Sequence, residues 1–177
     1  MIQFLDQFFQ QARESVATFD AWVAAFVPDL SSEAVAKVDA IADHLCYKCS
    51  SRDEFESIRS LLETSSAFVY QSIISNRRIA IIKFLTPIPS ALGAIWFLEL
   101  SDQKPDGSQA SGFDHVEIYP TGGTMDELAI DLEAKGTVVE KVVRPHHTTY
   151  DIVVRGTFKV RIEPDALVAK IKRDEMR

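Results

Sequence analysis

One grammar, used twice, restricts what this chain can become. A strand-like run leads into a capping box and a short amphipathic helix, and three further strand-like runs follow. In the first pass residues 44–49 alternate as a half-buried strand does. Ser51-x-x-Glu54 then opens a helix with Phe55, Ile58, Leu61 and Leu62 on its inner face. Strands are expected at 67–74, 79–85 and 94–101. In the second pass the strand is 115–119, the box is Thr124-x-x-Glu127, and the helix carries Leu128, Ala129 and Leu132 before stopping at Gly136. Strands are expected at 137–143, 150–154 and 158–163.

The expected fold class is therefore α+β: paired βαβββ modules contributing to a curved mixed sheet, with a helical extension in front. The first module is assigned to 43–101 and the second to 113–164. The stretch between them, 102–112, carries Pro105, Gly107 and several serines and reads as a linker. In the N-terminal extension, 1–42, helical spacing links Phe4, Leu5, Phe8, Phe9, Ala12, Val16, Phe19, Val23 and Phe26. Pro28 ends that helix, and Ser31 or Ser32 caps a second through Val35, Val38 and Ile41. Residues 165–177 form a tail with helical character.

Bulk properties exclude some classes. Lys and Arg number 19 against 26 Asp and Glu, a formal charge of -7, which disfavours nonspecific nucleic-acid binding. No run of about 20 apolar residues is present to span a bilayer, and Asp6, Arg13 and Glu14 interrupt any leader-like segment. A cytoplasmic protein is expected. The apolar N-terminal helix lacks the basic face of a membrane-surface helix, so it is expected to pack on its own domain or in a homodimer. Cys46 and Cys49 form a C-x-x-C, yet on a strand they point to opposite faces. A redox or zinc-knuckle reading is thereby disfavoured.

The strands opening and closing each module carry the chemistry. The first opening strand sets His44, Cys46 and Lys48 on one face, and its closing strand sets Phe97, Glu99 and Ser101. In the second module GFDHVEIYP sets His115, Glu117 and Tyr119, and FKVRIEP sets Lys159, Arg161 and Glu163. Each opening strand gives a His and each closing strand a Glu. Modules closing face to face would gather two imidazoles and two carboxylates, donors suited to Zn, Ni, Mn or Fe(II). A strand His or Glu taken singly is more often just solvated; the repeat is what argues for a site.

Paired βαβββ modules with this placement of His and Glu resemble the vicinal oxygen chelate superfamily. Within it, the helical N-terminus and the two His-bearing strands look most like the YecM family. The resemblance implies a divalent transition metal on His44, His115 and Glu163, with Glu99 added in a glyoxalase-like set and a bystander in a dioxygenase-like one. Glu117 shares the parity of His115 and is open to three roles: ligand, outer-shell partner or base. The implied chemistry is metal assistance on a small oxygenated, anionic substrate, as an isomerase, lyase or dioxygenase.

Other groups fall near this site on position alone. His146 and His147, in a loop, are candidates for acid–base work. Lys48, Lys159 and Arg161 either receive an anionic substrate group or neutralise the neighbouring glutamates. The alternative function is a non-enzymatic module that binds a small anion or a protein partner.

Overall fold

A computed structural model of the chain describes residues 2–25, 38–74, 76–144 and 147–175. The first helix, α1 (Leu5–Ala24), ends just before the expected Phe26, and β1 (Ala40–Lys48) opens the first module. It continues with α2 (Arg52–Glu63), β2 (Ser66–Ile74), β3 (Arg77–Ser90) and β4 (Gly93–Ser101). The second module comprises β5 (Gly112–Pro120), α3 (Met125–Ala134), β6 (Glu140–Val143), β7 (Thr148–Arg155) and β8 (Phe158–Ile162), and α4 (Leu167–Glu175) ends the description. The α+β class and both βαβββ orders match the expectation. Most of the second N-terminal helix expected from Ser31 lies outside the described residues. Its supposed last member, Ile41, belongs to β1, where it alternates with buried Ala40 and Ala42.

The two modules join edge to edge rather than face to face. One 8-stranded sheet runs β2-β3-β4-β1-β5-β8-β7-β6. At its centre β1 and β5 pair antiparallel, while β1–β4 and β5–β8 are the parallel pairs. The reason is elementary: each opening strand has one edge used within its own module and one edge of unpaired N–H and C=O groups. Pairing those two edges satisfies both rows at once.

The core lies on one face of this sheet. Leu45, Tyr47, Leu98, Leu100, Val116, Ile118, Val160 and Ile162 contribute alternate side chains to it. The inward stripe of α1 is Phe8, Ala12, Val16, Phe19 and Val23. Phe8 bridges the central seam, its ring 5.3 Å from Phe113 of β5 and 6.1 Å from Tyr47 of β1. The N-terminal helix thus packs on its own domain.

The capping boxes hold, with one departure. Thr124 and Glu127 make the full reciprocal pair. Ser51 accepts from the Glu54 N–H at 3.1 Å, but the Glu54 carboxylate does not reach back to Ser51. It accepts instead from the Ser50 N–H at 2.8 Å, the buried Tyr47 hydroxyl at 2.9 Å and the Ser111 hydroxyl. Burial alone would raise its pKa, and these donors outweigh burial to hold it below the usual glutamate range. The linker is fastened nearby: the buried Gln109 amide donates to the carbonyls of Cys49 and Asp102, each at 2.8 Å.

Two outcomes follow. Phe8→Ala should cost about 3–5 kcal/mol in urea unfolding, as for other fully buried Phe truncations. Because Glu54 titrates lower when folded, its contribution is fully present above the unfolded glutamate pKa and is lost progressively as pH falls from there through its lower folded pKa. Stability measured from pH 6 down to 3 should therefore fall less steeply in Glu54→Gln than in wild type.

Candidate metal centre

Adjacent strands at the seam place polar side chains in two rows on the face opposite the core. In the first row Phe97 (β4), His44 (β1), Glu117 (β5), Arg161 (β8) and Asp151 (β7) are successive register partners. In the second they are Glu99, Cys46, His115 and Lys159. His44 is 0% and His115 1% exposed, so this floor is nearly as dry as the core behind it.

Register shifts in the β1–β5 ladder fall between Ala42 and His44 and between Cys46 and Tyr47. The residues left unpaired are Asp43 on β1 and Asp114 on β5. An extra residue kinks its strand and re-aims the side chain, so a residue that simple alternation would send to the core side turns toward its neighbour. His44 Nδ1 lies 2.9 Å from Asp43 Oδ2, and His115 Nδ1 lies 2.8 Å from Asp114 Oδ2. With Nδ1–H donating to a carboxylate, each ring keeps Nε2 for another partner.

For His115 that partner is the Arg161 guanidinium, whose Nη1 lies 3.5 Å from Nε2; for His44 it is missing. Among the described residues His44 Nε2 has no hydrogen-bond partner although fully buried, and neither has Glu117 Oε1. The nearest charges to His44 are Glu99 Oε2, 3.8 Å from Nε2, and Glu117 Oε1, 3.7 Å from Nδ1. His44, His115 and Glu117 each offer a ligand atom within 4.8 Å of the others. Buried polar groups are nearly always paired. Two unpartnered polar atoms on register-paired residues of β1 and β5 therefore mark a place where an ion, about 2.0–2.2 Å from each donor when bound, would supply a common partner.

The electrostatics are asymmetric. Burial would lower the His44 pKa, but the carboxylates of Glu117, Asp43 and Glu99 prevail and push it up to about 9. His115 goes the other way, to about 4, through burial and the Arg161 guanidinium against the pull of Asp114. Glu117 is raised to about 7, mainly by burial, with Glu163 and Glu99 adding repulsion. Glu99 is held below its ordinary value: burial opposes ionisation, but His44, His115 and Arg161 favour it. Burial lifts the Cys46 thiol well above its usual range, with Glu99 and Asp114 adding to it.

Expected site residues separate into distinct places. His44, His115, Glu99 and Glu117 come together. Glu163, expected as a ligand, lies beyond the end of β8 and is ion-paired at 2.9 Å with Lys170 of α4. Lys48 pairs with Asp114 at 2.6 Å, while Lys159 (3.1 Å) and Arg161 (2.8 Å) both grip Asp151. Each of these cations thus has a carboxylate partner. His146 lies outside the described residues. His147 is exposed; partial desolvation of its ring, together with the cations Arg144, Lys170 and Arg161, lowers its pKa against the pull of Glu163. The Tyr150 hydroxyl donates to Asp126 of α3, away from this face.

Sequence reasoning missed Asp43, Asp114, Asp151 and Lys170. An Asp-His dipeptide opening both modules was the available signal for the first two. Lys170 had none, since its placement depends on α4 returning to the sheet, where Leu167 N–H also donates to Asp43 Oδ2 at 2.9 Å.

Comparison with known proteins bears on the fold. A solved structural-genomics structure, Protein EC4020, is similar at 18% identity, covering 97% of this chain and 92% of its own, with a TM-score of 0.70. Streptomyces coelicolor methylmalonyl-CoA epimerase in complex with 2-nitronate-propionyl-CoA is similar at 15% identity, covering 72% of this chain and 96% of its own, with a TM-score of 0.47. No curated protein matches. The family model described as YecM protein matches residues 9–163, which takes in most of α1, both modules and every donor of the buried cluster: the chain belongs to the YecM family.

Proposed function

We propose that this protein is a divalent-metal-dependent protein of the vicinal oxygen chelate type, acting on a small oxygenated, anionic molecule. The observation that supports it most is the pair of buried imidazoles. Each has Nδ1 committed to its own aspartate, and among the described residues His44 Nε2 and Glu117 Oε1 are left without hydrogen-bond partners. In this reading His44, His115 and Glu117 hold the ion. Two imidazoles and a carboxylate suit a transition ion such as Zn, Ni, Mn or Fe(II) and leave positions for substrate.

When bound, the ion would polarise a substrate oxygen. The chain's residues do the rest. Asp43 and Asp114 fix the imidazole orientation and raise ligand basicity. Glu99, with 22% of its side chain exposed and its carboxyl held ionised, is the group open to accept a substrate proton. Arg161 and Lys159 hold Asp151 rather than substrate. Glu163 is matched by Lys170, so in this reading it balances charge instead of ligating. The alternative anion-binding module is less favoured, because Lys48, Lys159 and Arg161 already have carboxylate partners.

The reading is tested by calorimetric titration of metal-stripped protein with ZnCl2 and NiCl2. Wild type should bind one ion per chain; His44→Ala and His115→Ala should lose it, and Glu163→Gln should keep it. A folded wild type that binds neither ion would remove the reading.

Affinity should also depend on pH in one direction. A metal takes neutral imidazole only, and His44 without metal stays protonated up to about pH 9. Apparent affinity should therefore climb steadily from pH 6 to pH 9. Asp43→Asn and Asp114→Asn should each weaken binding about 10–100-fold, the usual cost of losing an outer-shell partner, with the circular dichroism unchanged.

A further inference from the structure

We propose that the polar face continues into a substrate subsite over β2, β3 and β4, formed by Phe68, Lys83, Trp96 and Phe97. It takes a planar, unsaturated group ending in an anion, such as an aromatic carboxylate. The inference rests on the metal reading above and sharpens the class of molecule that the centre would act on.

The register places it. Phe97 is the β4 partner of His44, Lys83 is the β3 partner of Phe97, and Phe68 is the β2 partner of Lys83. The first row of the site therefore runs past His44 to the edge of the sheet, with neighbouring strands about 4.8 Å apart. Ile81, two residues from Lys83 and the β3 partner of Glu99, is buried without belonging to the core cluster behind the sheet. It gives this flank an apolar floor.

Trp96 departs from strand alternation to join them. Counted from Leu98, alternation would place it in the core, yet it is 41% exposed. The β3–β4 ladder slips between Lys83 and Ile88 and leaves Trp96 without a register partner, and such a slip re-aims a side chain. Lys83 Nζ lies 5.6 Å from the Trp96 ring centroid and 6.0 Å from that of Phe97, whose ring is 6.1 Å from Phe68. Three aromatic rings thus gather beside one lysine.

Charge and access say what lies there. Lys48, Lys159, Arg161 and Lys170 on the polar face each hold a carboxylate. Among the described residues Lys83 has no carboxylate partner and rests on ring faces instead, which leaves its ammonium to take an anion. Toward the second module the face is closed: the side chains of Asp151, Glu163 and Glu117 are 3%, 5% and 6% exposed. Toward the first it opens, to 22% at Glu99 and 44% at Phe68. A molecule reaching the buried donors therefore crosses β4 over these rings. Stacking there favours a flat, unsaturated body, and Lys83 favours a negative end.

The test is a heteronuclear NMR titration of the full-length, metal-stripped chain with sodium benzoate, read at the tryptophan indole N–H signals. The chain has 2 Trp, and Trp22→Phe identifies the signal of Trp96. Benzoate should shift Trp96 and leave Trp22 in place. Cyclohexanecarboxylate, with the same charge and no planar ring, should bind about threefold more weakly. Lys83→Met should weaken benzoate about tenfold. No Trp96 shift in folded wild type, or equal binding of the two carboxylates, would overturn the subsite whether or not Lys83→Met folds. A ZnCl2 titration of the same sample separates the two readings. Zinc uptake without a Trp96 shift removes the subsite and keeps the metal centre, and a Trp96 shift without zinc uptake does the reverse.

Discussion

The antiparallel pairing of β1 with β5 is the contact on which the rest depends. Each module alone has an open central edge and half of the polar face. Joined, they set His44 opposite Glu117 and Cys46 opposite His115, and they let Phe8 span the seam from behind. Because side chains alternate with a period of two, a slip of one residue would send the donors into the core and Leu45 and Val116 into the site. The hydrophobic face and the buried polar cluster therefore share one register.

Burying so many ionisable groups is costly unless they are matched. The structure meets this by pairing around the cluster: Lys48 with Asp114, Lys159 and Arg161 with Asp151, and Lys170 with Glu163. What is left over, at the middle, is carboxylate: Glu99 and Glu117 beside His44. That surplus drives the His44 pKa upward, and it is the kind of field a divalent cation relieves. The matched periphery and the unmatched centre are two sides of one electrostatic arrangement.

Much of this was legible in the sequence, for local reasons. Strand alternation and cap residues are short-range signals, so the two βαβββ orders and the shared parity of His44, Cys46, His115 and Glu117 could be read directly. Edge-to-edge joining could not, because which edge finds which is settled over long separations in the chain. The bulges were invisible for a different reason: they break the parity rule that the reading relied on, so Asp43 and Asp114 were assigned to no site. Glu163 had the right parity, but its partner Lys170 arrives from a helix whose docking no periodicity announces.

The bulged Asp-His pairs also bear on modularity. A buried imidazole and the group that orients it are often brought together from distant parts of a chain, with the loop-closure entropy that entails. Here they are covalent neighbours, so the pair is correct as soon as its strand is. Each module in that sense carries its own oriented imidazole, and copying one such module copies the imidazole together with the carboxylate that aims it.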